Sequence, residues 1–237
     1  MRVTLCEAND EISSGISPNC GRFATGKTLT VVAPDVVTFE FSPVSEDGTL
    51  IAGLVACIDT VCGTSFADVG AVLTAPRGGG FTVDVDGDSV FSTRHNLSGA
   101  DRFRTIGGFV PSDIDTALGE AGVTAVAGKG HLLVAVAGDG TAAVVSITLA
   151  PTSGDGPFHT GTTPGVLDPA LQAIGSSDTQ AALAFNLEPG EYTVSFTAPP
   201  AGSCQPAGAS WPDGPTSFKN SVGADRLTSS AIVCETD

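Results

Sequence analysis

Leu183-Ala184-Phe185-Asn186-Leu187-Glu188-Pro189-Gly190-Glu191-Tyr192-Thr193-Val194-Ser195-Phe196 reads as two β-strands joined by a tight corner. Pro189 pre-sets φ for the first central turn position, and Gly190 supplies the positive φ that a type II turn needs at the second. Beyond the corner, Tyr192, Val194 and Phe196 share one face, while Glu191, Thr193 and Ser195 share the other. A tyrosine just past such a corner is placed for its phenol to tie back to nearby backbone, the tyrosine-corner arrangement of β-sandwiches. The stretch therefore predicts a hairpin inside a β-sandwich.

The rest of the 237 residues agrees with an all-β class. With Gly 30 and Pro 15, the chain favours many short strands and turns over long helices. Strand signals fall at 28–32, 36–41, 49–57, 69–74, 81–85 and 89–93, and again at 131–137, 142–150 and 227–235. Asp86-Gly87 suits a two-residue hairpin turn. The β pattern breaks at Pro111–Val123, where Ile114, Ala117, Leu118 and Ala121 fall at helical spacing. Ser112 reads as the N-cap of a short helix over 112–120, with Asp113 and Asp115 in its first turn. The expected organisation is a disulfide-looped segment 1–27, a sandwich domain 28–109, a helical connector 110–122 and a second sandwich domain 123–237. Residues 151–178 and 199–215 read as long loops on that second domain.

Charge narrows the partners. Ten Lys+Arg against 26 Asp+Glu leave a net −16. Nucleic acid and anionic membrane surfaces both require clustered cations, so neither is an expected partner. The acidic excess reads first as a solvated surface. No apolar run reaches the roughly 20 residues of a membrane span, and Met1–Cys6 is followed by no apolar signal region. The six cysteines are Cys6, Cys20, Cys57, Cys62, Cys204 and Cys234. They form no CxxC pair, and the three histidines, His95, His131 and His159, are scattered, so a zinc-ligand pattern is absent from the sequence. An even count in a β-rich chain favours disulfides and an oxidising, extracellular or outer-surface location. Connectivity cannot be deduced from sequence. Local pairing gives Cys6–Cys20, Cys57–Cys62 and Cys204–Cys234, against the alternative of buried free thiols.

Four features invite chemistry. Asp84, Asp86 and Asp88 could converge on calcium, although Gly87 and His95 fall where an EF-type loop has other residues, and a hairpin turn explains the aspartates equally. His95, beside Arg94 and near Asp101, lacks a Gly-x-Ser-x-Gly elbow, so no catalytic residue is assigned. Trp211, in Ala209-Ser210-Trp211-Pro212-Asp213-Gly214, could stack on a sugar or cap the core beside the Cys204–Cys234 pairing. Asn96-Leu97-Ser98 matches a glycosylation sequon.

The run Lys129-Gly130-His131-Leu132-Leu133-Val134-Ala135-Val136, Gly138-Asp139-Gly140, Val144–Leu149 and then Phe185–Val194 resembles carboxypeptidase regulatory-like domains, the transthyretin-related Ig-like sandwiches. It looks most like versions in secreted and lipoprotein surface proteins of myxobacteria, over residues 110–237. The resemblance implies prealbumin-like sandwiches used for structure, spacing or adhesion, without catalysis or cofactor. Hydroxyisourate hydrolases share that fold but end in Tyr-Arg-Gly-Ser, whereas this chain ends Val233-Cys234-Glu235-Thr236-Asp237. The expected function is a non-enzymatic, self-associating or adhesive cell-surface subunit. The alternative is a carbohydrate- or small-ligand-binding module using the loops around Trp211.

Overall fold

The computed structural model describes residues 36–44, 51–66, 71–76, 80–98, 103–107, 109, 111–138, 144–161, 166–175, 180–197, 202–207 and 211–236. All of them lie in one compact unit, Asp35–Asp237. The expected segment 1–27, the strand at 28–32 and the Cys6–Cys20 pairing lie outside the described residues. In chain order the first strands are β1 (Val36–Val44), β2 (Val55–Ile58), β3 (Val61–Thr64), β4 (Ala71–Pro76), β5 (Gly80–Asp86), β6 (Thr93–Ser98) and β7 (Phe103–Gly107), followed by helix α1 (Pro111–Ala121). Next come β8 (Gly130–Gly138), β9 (Val144–Val145), β10 (Ile147–Ala150), β11 (Asp155–Thr160), β12 (Leu167–Asp168) and β13 (Ile174–Gly175). The last are β14 (Gln180–Leu187), β15 (Gly190–Phe196), β16 (Gly202–Ala207), β17 (Trp211–Pro212), β18 (Ser217–Val222) and β19 (Leu227–Thr236).

One ten-stranded sheet carries the order β12-β11-β14-β8-β19-β6-β5-β2-β3, with β16 also paired to β19. Two smaller sheets, β10-β15-β18-β17 and β4-β1-β7, pack on it, and β13-β9 form a two-stranded flap. Period-two alternation decides what each face buries. On β8, Leu132, Val134 and Val136 join Ala182 and Ala184 of β14 and Ile232 of β19. They meet Tyr192, Val194 and Phe196 of β15 and Phe218 of β18 across the interlayer. The odd-numbered Leu183 and Phe185 of β14 turn the other way, onto Ile114 and Leu118 of α1. A third cluster packs Val83 and Val85 of β5 against Leu73 and Ala75 of β4. The expected all-β sandwich is therefore present as sheets facing across shared apolar cores.

One apolar cluster draws on residues 54–97 and another on 132–234, while a third brings Phe91 together with Ile114, Leu183 and Leu227, and the hydrogen-bonded sheet runs through all of these segments. Strand β19 joins them. It pairs in parallel with β8 over Leu227–Cys234 and with β6 over Leu227–Ser229. Helix α1 starts with Pro111 rather than after a Ser112 cap; proline suits that first position because its missing N–H has no helical acceptor to lose. It ends at Gly122 (φ 67°), where Gly122 N–H donates to Gly119 and Val123 N–H to Leu118. Glycine takes that left-handed position without a Cβ clash.

Three expectations change. The strands flanking Pro189-Gly190 are no hairpin: β14 pairs with β8 and β11, while β15 pairs with β10 and β18. The corner carries the chain from one layer of the sandwich to the other. Residues 151–178 and 199–215 are not plain loops either. β11 pairs with β14, and β16 pairs with β19. Prolines and polar residues hid both strands. Pro157 enters β11 beside a register shift, and Pro206 sits in β16, which has β19 as its one strand partner among the described residues. An edge position tolerates a missing N–H. Lastly, β5 and β6 are joined through residues 87–92, so the turn after Asp86 is longer than two residues.

Candidate functional site

The corner that decides the fold is held by side chains. Tyr192 is fully buried, and its Oη–H donates to the Glu188 carbonyl at 3.0 Å. Ser153 Oγ lies 2.5 Å from the same Oη and therefore donates to it. This is the tie-back expected of a tyrosine corner. Gly190 has a positive φ of 156°, and Asn186 (φ 54°) takes the left-handed region at a register shift between Ala184 and Leu187. Asparagine tolerates the left-handed region better than most residues. Its Oδ1 accepts Val126 N–H (2.9 Å), and its Nδ2 donates to the Thr124 carbonyl (3.0 Å) and to Asp155 Oδ2 (2.8 Å). One bulged residue thus anchors the 124–126 segment and the start of β11.

A second set of polar groups joins the two halves. Arg94 forks onto Asp84, with Nε–Oδ1 at 2.6 Å and a second nitrogen 2.7 Å from Oδ2. Arg226 forks onto Asp86 at 2.7 and 3.0 Å, and Ser92 donates to the same carboxylate at 2.7 Å. Bidentate guanidinium–carboxylate pairs are the strongest ion-pair geometry available to a half-buried site. Burial alone would raise the Asp86 carboxyl, but the Arg226 and Ser92 hydrogen bonds outweigh it and hold it below the ordinary range. Deeper in the seam, Asn96 Nδ2 donates to Asn220 Oδ1 (2.9 Å), and Asn220 Nδ2 donates to Ser230 Oγ (3.2 Å). Asn96 Oδ1 accepts Ser221 N–H at 3.0 Å. Asn96 thus meets Asn220 and Ser221 across more than a hundred residues of sequence, which gives the seam one register.

The residues singled out from sequence fall as follows. Asp84 and Asp86 meet guanidinium groups instead of one another, and Asp88 is exposed in the turn beyond β5. Among the described residues no three His, Cys, Asp or Glu side chains converge. Trp211 is half-buried; its indole N–H donates to the Leu97 carbonyl at 3.0 Å. A Cβ placed on Gly80 would lie on the indole ring, so the glycine makes room for it. Trp211 thus braces β17 against β5 and β6. Asn96 of the sequon is fully buried with its amide engaged. His95 is also buried: Nε2 lies 2.9 Å from Thr93 Oγ1, and Nδ1 lies 3.3 Å from Ser229 Oγ. The disulfides Cys57–Cys62 and Cys204–Cys234 are both formed, each bridging directly opposed residues of neighbouring strands. Among the described residues the large sheet ends at β3. Strand β3 has β2 as its one strand partner among the described residues. Val61 is 51% exposed, Phe66 62% and Val72 of β4 53%.

Sequence reasoning missed Asn186, Arg94, Arg226 and Asn220. Only their residue types were visible; Asn186, Arg226 and Asn220 act through partners distant in sequence, while Arg94 meets Asp84 on the neighbouring strand. It also missed that His131 is a core residue. Its ring lies 6.1 Å from Phe91 and 5.5 Å from Phe185, and its Nδ1 accepts Asn186 N–H at 3.4 Å. Burial holds the His131 imidazole below the ordinary histidine value of 6.5, with the Asp225 carboxylate opposing the shift. Because the folded state binds that proton less readily than the unfolded chain, the neutral ring's contribution is present above pH 6.5. It is lost as pH falls from there through the lower folded value. Urea unfolding from pH 7.5 downward should therefore show stability decreasing below about pH 6.5. His131→Phe should flatten that slope, and an unchanged slope would remove His131 as its source.

The chain matches no protein-family model. It matches no curated protein. Among solved structures it is similar to GBS52, the minor pilin of the Gram-positive pathogen Streptococcus agalactiae, at 11% identity. That match covers 84% of this chain and 96% of the pilin, with a TM-score of 0.28. It is also similar to the major pilin of Streptococcus pyogenes, at 9% identity over 86% of this chain and 99% of that one, with a TM-score of 0.30. The pilus-presented adhesin Cpa aligns at 8% identity over 63% of this chain and 37% of its own, with a TM-score of 0.28.

Proposed function

We infer that this chain is a non-enzymatic structural or adhesive subunit of the outer cell surface that associates with further copies of itself through the open edge at β3. The observation that carries the reading is that, among the described residues, β3 has β2 as its one strand partner. Val61-Cys62-Gly63-Thr64 holds no Lys, Arg or Pro, and Val61 and Phe66 beside it are exposed. Edge strands that must stay monomeric are blunted by charge, proline or cover, because unpaired N–H and C=O groups template further pairing. The two disulfides support an oxidising location. The carboxypeptidase regulatory-like reading of 110–237 belongs to the same proposal and draws on the Tyr192 tie-back.

The net −16 charge opposes self-association, and salt screens that repulsion over a Debye length of about 8 Å at physiological ionic strength. Association should therefore strengthen as salt is raised. Light scattering across a concentration and salt series, with negative-stain microscopy, tests this. Concentration-dependent oligomers in the native chain, lost in Val61→Lys and Phe66→Lys while circular dichroism is unchanged, are expected. A chain that stays monomeric at every concentration and salt level, or lysine variants that assemble like the native chain, would overturn the reading.

A further inference from the structure

His159 of β11 is only 3% exposed. Its Nδ1 lies 3.2 Å from the Leu171 carbonyl, which can only accept, so Nδ1 carries the ring proton and Nε2 holds a lone pair. That Nε2 is buried and has no hydrogen-bond partner, and the same is true of Gln180 Oε1. The two side chains share one face of the sheet. His159 stands opposite Ala182 in the β11–β14 register. Gln180 is therefore its diagonal neighbour, about 7–8 Å away between Cα atoms and within reach of long side chains. Asp168 of β12 stands directly opposite His159 on the other side. Cβ atoms of such pairs are about 4.5–5.5 Å apart. Asp168 Oδ1 accepts Ala170 N–H at 3.0 Å. An imidazole lone pair, an amide oxygen and a carboxylate thus gather on one patch, two of their atoms buried without a donor. Leaving buried acceptors unanswered is costly, so such groups call for an occupant.

The strands that carry these groups bring no cation of their own. Between Lys129 and Lys219 the sequence contains neither Lys nor Arg, while Asp139, Asp155, Asp168, Asp178, Glu188, Glu191 and Asp213 all fall within that interval. A water could donate to Nε2 and Oε1, but its own lone pairs would then face acceptors and the apolar Ala182. A cation satisfies all three groups at once. The donor set decides its class: imidazole nitrogen with carboxylate and amide oxygen suits a first-row divalent transition metal over calcium or magnesium, which take oxygen ligands. The Nδ1–H bond to a backbone carbonyl is also the arrangement that orients metal-binding histidines.

We propose that His159 Nε2, the Asp168 carboxylate and Gln180 Oε1 form a binding site for a first-row divalent transition-metal ion, which ties β12 and β14 to β11. The inference does not rest on self-association, and either can fail without the other. Zinc(II) is the probe, added to the full oxidised chain in isothermal titration and in long-range 15N–1H NMR of the histidine rings. One zinc per chain is expected, with the His159 Nε2 resonance moving while Nδ1 stays protonated. His159→Gln should lose the site. Asp168→Asn, at a half-buried position on a short outer strand, should weaken zinc binding while leaving the fold intact, which keeps the test open if the histidine variant does not fold. His159 ring resonances that stay in place at saturating zinc would overturn the proposal, whether a water answers Nε2 or zinc binds elsewhere. So would Asp168→Asn and His159→Gln chains that bind zinc as the native chain does.

Discussion

Replacing Phe185 with alanine is expected to cost about 3–5 kcal/mol of folding stability, the range for removing a fully buried aromatic ring. Phe185 has no exposed surface and stands where the elements meet. It packs with Ile114 and Leu118 of α1, with Leu183, and with Leu227 at the start of β19. Its ring also contacts Phe158 at 5.9 Å and His131 at 5.5 Å. The backbone beside it cannot easily collapse into the void, because Asn186 pins the next residue through three side-chain hydrogen bonds. Failure to relax adds a cavity term to the lost transfer energy. Chemical denaturation of Phe185→Ala against the native chain measures the difference. Phe185→Leu should recover most of it, since a volume-near swap costs less than about 1.5 kcal/mol. A loss under 1 kcal/mol for the alanine variant would mean that α1 contributes little to the sheet it covers.

The second large effect concerns Cys204–Cys234. Its cysteines are 30 residues apart, and the loop they close contains β17, β18 and most of β19. On the chain-entropy account, closing a loop of that length stabilises the fold by about 3–4 kcal/mol. Cys57–Cys62 spans 5 residues and restricts the unfolded chain far less. The Cys204→Ser/Cys234→Ser double variant should therefore lose more stability than the Cys57→Ser/Cys62→Ser pair in the same denaturation experiment. Both bonds join directly opposed residues on adjacent antiparallel strands, so neither double variant removes a strand from its sheet. An equal loss from both pairs would show that the unfolded-state argument does not govern this chain.

Much of the fold was legible because it depends on neighbours in sequence. Alternation in Leu132–Val136 and Tyr192–Phe196 marks a buried face wherever the strand ends up. The helix declared itself through Ile114 and Leu118, one turn apart, and the two described disulfides join the nearest available cysteines. Trp211 shows where that reasoning stopped. Its Pro/Gly surroundings read as a loop open to ligands, yet its hydrogen bond goes to Leu97, 114 residues away. The aspartates at the end of β5 show the same limit. Asp84 and Asp86 look like a shared cation site until Arg94 forks onto Asp84 from the neighbouring strand and Arg226 onto Asp86 across 140 residues. His159, Asp168 and Gln180 lay in a region whose prolines and short strands concealed that β11, β12 and β14 are neighbours.

By itself, the sequence determined the class of the fold, the inward face of the long strands, the corner at Pro189-Gly190 with its tyrosine, and the helix. Tertiary structure alone decided that the corner crosses between layers, that β19 joins both halves into one sheet, and that β3 remains an open edge among the described residues. The physical reason is range. Side-chain periodicity and turn chemistry act over a few residues and leave a strand's partner unspecified. Partner choice comes from contacts such as Asn96–Asn220 and Asp86–Arg226, which exist only once distant segments have met.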